Sequence, residues 1–196
     1  HSHNAFFIES FMDELAVQTH QDPVEFRRGL LKQAPRHLAV LDLAAAKAGW
    51  GGALAAGRAR GIALHESFGS IVAQVVEVSL QDGAPRVHRV VCVIDCGTVV
   101  NPDIVTQQLQ GAVIFGLTAA LYSTIDIEAG RVQQRNFPNY PMVKLAQAPQ
   151  VESWIVPSER APGGVGEPGV PPLAPAVGNA LFRLTGKRAR ALPLGA

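Results

Sequence analysis

The chain has 196 residues, 47% hydrophobic and 17% charged, which is enough apolar material for one domain or two small ones and excludes a disordered tail. Its 17 basic and 16 acidic side chains leave a formal charge of +1. The only basic run is Lys187, Arg188 and Arg190 near the end, so no nucleic-acid footprint and no affinity for an anionic membrane are indicated.

No apolar stretch is expected to reach the roughly 20 residues that span a bilayer. Cys92 and Cys96 lie four apart in the strand-like run VVCVIDCG, where their Cα atoms would be roughly 13 Å apart. That is too far for a disulfide, and two thiols are too few for a structural metal set. Both are expected as buried strand residues, and no metal site is expected in this chain. The chain opens at His1-Ser2-His3 with no methionine and enters a helical pattern at once. It is therefore expected to be cut from a longer polypeptide, whose leader and compartment this sequence does not reveal.

In chain order, AFFIESFMDELAVQT at 5–19 places Phe7, Ile8, Phe11, Met12 and Leu15 on one helical stripe, with Glu9, Asp13 and Glu14 left for the surface. Asp22-Pro23 is an N-cap followed by proline at the first helical position, so VEFRRGLLK continues as a second short helix. A third helix is predicted from about Arg36 to Ala48, stopped by Gly49. From Gly57 the period changes: GIALHESFGSIVAQVVEVSL and RVHRVVCVID are Val- and Ile-rich, are joined by a turn at 81–85, and read as antiparallel strands.

Asn101-Pro102-Asp103 repeats the N-cap and proline signature and opens a long helix to about Ser123, whose apolar middle should be buried. Glu128-Ala129-Gly130 predicts a hairpin, VESWIVP at 151–157 a strand, and Pro172 to Gly186 a last helix. The expected fold class is α+β, with antiparallel strands and segregated helices. The short glycine linker around 51–57 favours a single unit over 1–196, with a helical segment 1–56 and a mixed segment 57–196.

The segment APGGVGEPGVPP at 161–172 packs four glycines and four prolines around one ionisable side chain, Glu167. Glycine lets a backbone approach a ligand closely, and Pro168 biases Glu167 toward extended backbone. A buried carboxylate presented this way, ahead of a helix N-terminus, suits a general base. Composition alone favours a solvated carboxylate in a rigid turn. Gly164, Gly166 and Gly169 mimic a dinucleotide-binding G-x-G-x-x-G, but that fingerprint needs a strand directly before the glycines and an acidic residue about 20 positions on. Here PSERAPG intervenes and positions 187–190 read Lys-Arg-Ala-Arg. Arg58 and Arg60 in GRARG read more readily as a solvated strand entry than as a phosphate contact.

The runs VVCVIDCGTVVNPDIVTQQLQGAVIFGLTAAL and GGVGEPGVPPLAPAVGNALFRLTGKRARALPL resemble the end of the large molybdopterin-binding subunits of the xanthine oxidase family of molybdenum hydroxylases. In that family a strand ending in Asp-x-Gly leads through Asn-Pro to a helix carrying Gln-x-x-Gly, and a later Gly-x-Gly-Glu-Pro loop carries the base. The matching residues are Asp95-Cys96-Gly97, Gln108-Leu109-Gln110-Gly111 and Gly164-Val165-Gly166-Glu167-Pro168. NAFFIESFMDELAVQTHQDPVEFRRGLL and ALHESFGSIVAQVVEV are most similar to the isoquinoline 1-oxidoreductase branch. Where many members read Gly-Glu-Pro-Pro, this chain has Gly-Glu-Pro-Gly-Val-Pro-Pro.

The resemblance implies that Glu167 is the catalytic base, that Gln108 hydrogen-bonds the pterin, and that Gly164 and Gly166 let the loop pass beside the molybdenum. It further implies a molybdopterin cofactor in the cytosine dinucleotide form and 2Fe-2S clusters on an iron–sulfur partner subunit. The substrate would be a small N-heteroaromatic compound or aldehyde, hydroxylated with oxygen from water. The remainder of the large subunit would complete the site, leaving this part inactive alone. The competing reading is a non-catalytic α+β scaffold or subunit-interaction module.

Overall fold

The structure, a computed structural model, describes residues 1–195. Three helices come first: α1 (Ser2–Gln18), α2 (Pro23–Leu30) and α3 (Pro35–Ala48). The Asp22 carboxylate accepts the amides of Val24 and Glu25, capping α2 where Pro23 has no amide to offer. Gly49 ends α3 in the left-handed region at φ 62°, a conformation open to glycine because it lacks a Cβ.

Strands β1 (Arg58–Ser67), β2 (Ser70–Gln81) and β3 (Ala84–Asp95) form an antiparallel meander. Two-residue turns join them, with positive φ at both central residues: Phe68 and Gly69 in the first, Asp82 and Gly83 in the second. Such turns match the right-handed twist of the strands they connect. Helix α4 (Pro102–Leu121) follows, capped by Asn101, whose Oδ1 accepts the amides of Asp103 and Ile104. A small ribbon of β4 (Ile127–Glu128) and β5 (Arg131–Val132), then β6 (Gln150–Ile155) and α5 (Leu173–Thr185), complete the order.

The α+β class expected from sequence is the class observed, with one refinement: the four-stranded sheet is mixed. Its order is β1-β2-β3-β6, and β6 runs parallel to β3. Parallel pairing requires a long crossover, which α4 and the ribbon supply.

Both faces of the sheet are covered. One side packs Ile71, Ala73, Val75, Val91 and Val93 against Val24, Val40 and Leu41 from α2 and α3. The other packs Val72, Val76, Val90, Cys92 and Ile94 against Val105, Leu109 and Leu117 of α4 and Leu173 and Val177 of α5. This two-sided burial explains why β2 and β3 read as continuous apolar runs. Each fully buried leucine or isoleucine contributes about 1.5–3 kcal/mol. Cys92 and Cys96 are buried free thiols, and burial pushes the Cys92 thiol up to about 12.

Two readings of helix faces are corrected. On α1, Phe7, Ile8 and Phe11 are more than half exposed, while Glu9 and Asp13 are buried with Ala5, Phe6 and Ala16. Glu9 Oε2 accepts from Arg27 Nε at 2.9 Å and from the Leu64 amide at 2.8 Å, and Asp13 Oδ2 accepts from Arg188 Nη1 at 2.6 Å. Burial pushes the Glu9 carboxyl up, against the opposing pull of Arg27 and the Leu64 amide. Asn179 of α5 donates to the backbone oxygens of Glu9 and Ile62, knitting α1 and β1 to α5.

On α4, the middle is not buried all round, for Phe115 is 67% exposed. By length and composition α4 is also apolar enough to cross a membrane, contrary to the reading that no stretch reaches that length. Its inner residues from Val105 to Leu121 nevertheless pack into the core beneath the sheet, as a core helix of this composition does.

Candidate functional site

The 156–172 loop leaves β6 and runs across the end of the sheet, tied by its own backbone. The Val156 amide donates to Ile94 O at 2.8 Å, Thr98 N to Arg160 O at 2.9 Å, Gly163 N to Cys96 O at 2.8 Å and Gly164 N to Phe68 O at 2.8 Å. The Asp-x-Gly element is the anchor of this arrangement. Gly97 has φ +72°, and a Cβ there would lie 2.2 Å from Ala161 O, so only glycine fits beneath the loop. The Asp95 carboxylate accepts the Gly97 amide at 3.0 Å and a two-point contact from Arg36, Nε to Oδ2 at 2.7 Å and Nη2 to Oδ1 at 3.0 Å. The Arg36 guanidinium holds the Asp95 carboxyl below the usual carboxylate range.

Glycine serves different purposes along the loop. A Cβ at Gly163 would lie 2.5 Å from Ser70 Oγ, and one at Gly164 would lie 2.9 Å from Phe68 Cβ, so both are small because the β1–β2 turn presses on them. Gly166 differs: nothing lies within 4 Å of a Cβ placed there, and its φ is not in the left-handed region. This chain's own packing therefore does not demand glycine at 166, which leaves that side of the loop open to a group approaching from outside.

Glu167 is exposed, the solvated setting that composition alone favours, while Pro168 and Gly169 behind it are buried. Its backbone oxygen accepts the Val170 amide at 2.9 Å, closing a turn. The Glu167 carboxylate enters no ion pair among the described residues. The result is a free carboxylate on a loop whose backbone is fixed.

Gln108 lies in the second turn of α4 with its side chain exposed, as the expected helix start at Pro102 requires. The next residue, Leu109, packs with Ala112 against Gly169, where an added Cβ would lie 2.9 Å from Ala112 Cβ and 3.5 Å from Leu109 Cδ2. Helix and loop thus meet two residues beyond Glu167. Toward the start of α4 they part around an apolar cleft of about 210 Å³ lined by Cys96, Val99, Ile104, Val105, Pro162 and Val165. Neither Gln108 nor Glu167 lines that cleft. A second open cleft lies apart from this region, between Asp22, Trp50, Arg60 and Arg183.

Apolar exposure is uneven between α1 and the loop. α1 shows it at Phe7, Ile8 and Phe11, but Val165 and Val170 of the 161–171 loop are partly buried. Sequence reasoning passed over Arg36, Phe68, Ser70 and Gln74, all of which hold the loop or its anchor. The available signal was a serine and a glutamine interrupting the apolar run SIVAQVVEV. Arg60 is paired with Glu77 at 3.0 Å rather than solvated, while Arg58 stays partly exposed and only approaches Glu77, at 3.9 Å.

Comparison with known proteins gives this geometry its context. The chain is 37% identical over 194 residues to the isoquinoline 1-oxidoreductase subunit beta of Brevundimonas diminuta, covering 96% of this chain and 25% of that protein. It is 32% identical over 212 residues to a membrane-bound aldehyde dehydrogenase [pyrroloquinoline-quinone] of Gluconacetobacter polyoxogenes, covering 95% of this chain and 27% of that one. The chain thus spans about a quarter of the length of these curated relatives. Quinoline 2-oxidoreductase from Pseudomonas putida 86 superposes on 63% of the chain and 17% of its own with a TM-score of 0.55 and 21% identity, a likeness of fold. The family model of the molybdopterin cofactor-binding domain matches residues 18–149, well over half of the sequence, and the chain belongs to that family.

Proposed function

We propose that this chain contributes the base and a pterin contact to the active site of a molybdenum hydroxylase acting on an N-heteroaromatic compound or an aldehyde. The observation that carries the reading is the contrast between a loop tied at Cys96, Phe68 and Gly169 and the free Glu167 carboxylate it presents beside an unobstructed Gly166. A fixed backbone with an open side chain meets the geometric requirement for proton transfer to an approaching group.

Glu167 would take the proton released as oxygen derived from water is transferred to the substrate carbon. Gln108, with an exposed amide able to donate and accept, would hydrogen-bond the pterin. Gly164 and Gly166 would keep the loop narrow where the cofactor passes. The cofactor, in its cytosine dinucleotide form, would supply the two-electron oxidation. Electrons would leave through 2Fe-2S clusters on a partner subunit, since the two cysteines here are buried and too few to ligate a cluster. The remainder of a large subunit would supply the shielding that Glu167 lacks within residues 1–195.

The test is Glu167→Gln in the molybdenum-loaded enzyme containing this chain. A positioned base contributes about 10²–10⁴-fold in rate, so turnover per bound molybdenum should fall at least that far with metal content near normal. Unchanged turnover per metal would sink the assignment. The exposed aromatic face of α1 favours the alternative of a non-catalytic interaction module. Elemental analysis finding no molybdenum in the purified enzyme would support that alternative.

A further inference from the structure

We propose that Ser70 and Gln74 are positioning residues that clamp the Glu167 segment from one face of β2, an inference that rests on the reading of Glu167 as base. Side chains four apart on a strand point to the same face and stand roughly 13 Å apart. Ser70 Oγ donates to Gly164 O at 2.6 Å, and Gln74 Nε2 donates to Gly169 O at 2.7 Å. These two carbonyls bracket the stretch that carries Glu167.

Five residue steps span about 17 Å when fully extended, so the clamp holds the segment short of its limit. The turn closed by Glu167 O and the Val170 amide takes up the slack. The Gly164 end has a second grip, because its amide donates to Phe68 O, and Phe68 is held at φ +55° in the turn before β2. That conformation is uncommon for a bulky side chain and persists only where its surroundings enforce it. The Gly169 end is also wedged by Leu109 and Ala112, on the stretch of α4 next to Gln108.

Burying Gln74 carries a penalty. The residue is fully buried, and its Oε1 has no hydrogen-bond partner. A leucine would fill similar space without burying an unpaired oxygen, but it would leave the Gly169 oxygen without its donor. The amide also makes a long contact to Cys92 Sγ at 3.4 Å. What the glutamine supplies that leucine does not is the donor to Gly169 O.

The experiment compares Gln74→Leu and Ser70→Ala with the unaltered chain by amide hydrogen exchange, then measures turnover in the molybdenum-loaded enzyme. In Gln74→Leu the amides of β2 and β3 should keep their protection, while that of Val170, bonded to Glu167 O, exchanges about tenfold faster, the effect of losing one buried hydrogen bond. Ser70→Ala, a small deletion that leaves the fold in place, should speed exchange at the other end, in the Gly163 and Gly164 amides bonded to Cys96 O and Phe68 O. In the enzyme Gln74→Leu should lower kcat several-fold with little change in KM, since a misplaced base slows chemistry more than binding. Unchanged loop exchange in both variants overturns the clamp. Faster loop exchange with unaltered kcat, in an enzyme that Glu167→Gln does inactivate, overturns the positioning role. Normal turnover of Glu167→Gln refutes the base instead, and the clamp then stands or falls on exchange alone.

Discussion

Glu9 and Asp13 on α1 and Glu167 in the 156–172 loop are carboxylates held by opposite means. The α1 pair is buried, with oxygens bonded to Arg27, the Leu64 amide and Arg188. At Glu167 the surrounding backbone is fixed and the carboxylate is left exposed. Burial against an arginine locks a charge into the architecture, because removing the partner strands the carboxylate in a medium that solvates it poorly, and Asp13 Oδ1 already lacks a partner there. A tied backbone with a free side chain keeps the group available for a molecule that arrives later. The most buried carboxylates of this chain are thus its least promising catalysts.

The largest effect tests the locked side. Arg27→Leu strands Glu9 and should destabilise the chain by about 3–5 kcal/mol, seen as a fall in the urea midpoint. A loss below about 1 kcal/mol would mean that the Leu64 amide alone satisfies Glu9. On the free side, Glu167→Gln should leave the midpoint within about 0.5 kcal/mol while it suppresses turnover, and a large loss of stability there would erase the contrast.

Asp95 lies between the extremes, buried yet paired with a partly exposed arginine. Arg36→Leu should cost about 2 kcal/mol near neutral pH, the scale of a charged hydrogen bond removed from a buried acceptor. Because Arg36 depresses the folded-state pKa of Asp95, the stability it contributes is fully present above the unfolded value of about 3.9. It is lost as pH falls through the lower folded value. The difference between variant and parent should therefore be flat from about pH 5 to 8 and shrink below about pH 4. Unfolding curves across that range check it, and a difference growing toward acid would contradict the pairing. The smallest effect belongs to the outer face of α1, where Phe11→Ser should shift stability by no more than about 0.5 kcal/mol because Phe11 is 53% exposed. A larger loss would show that Phe11 packs against something in the isolated chain.

Local chemistry determined much of this protein from sequence. The Asp22-Pro23 and Asn101-Pro102 starts and the Gly49 and Gly186 stops are where the sequence puts them, because each depends on one side chain capping its neighbours or one glycine taking positive φ. The Asp82-Gly83 turn was legible for the same reason. The Phe68-Gly69 turn was not, since phenylalanine carries no turn signal and is held there by the loop it grips. The resemblance marked Glu167, Gln108, Gly164 and Gly166, but only the coordinates tell Gly164, crowded by Phe68, from Gly166, facing open space.

Tertiary structure alone decided the faces. The α1 pattern has one stripe of aromatics and another of small residues and acids, and periodicity reports both without saying which turns inward. The face that turned inward carries Ala5, Phe6 and Ala16 together with Glu9 and Asp13, whose carboxylates meet Arg27 and Arg188 only in the closed fold. The parallel setting of β6 and the grip of Ser70 and Gln74 on the Glu167 loop are likewise contacts between residues more than 60 positions apart. No local propensity encodes such pairings, because they exist only once the layers have closed.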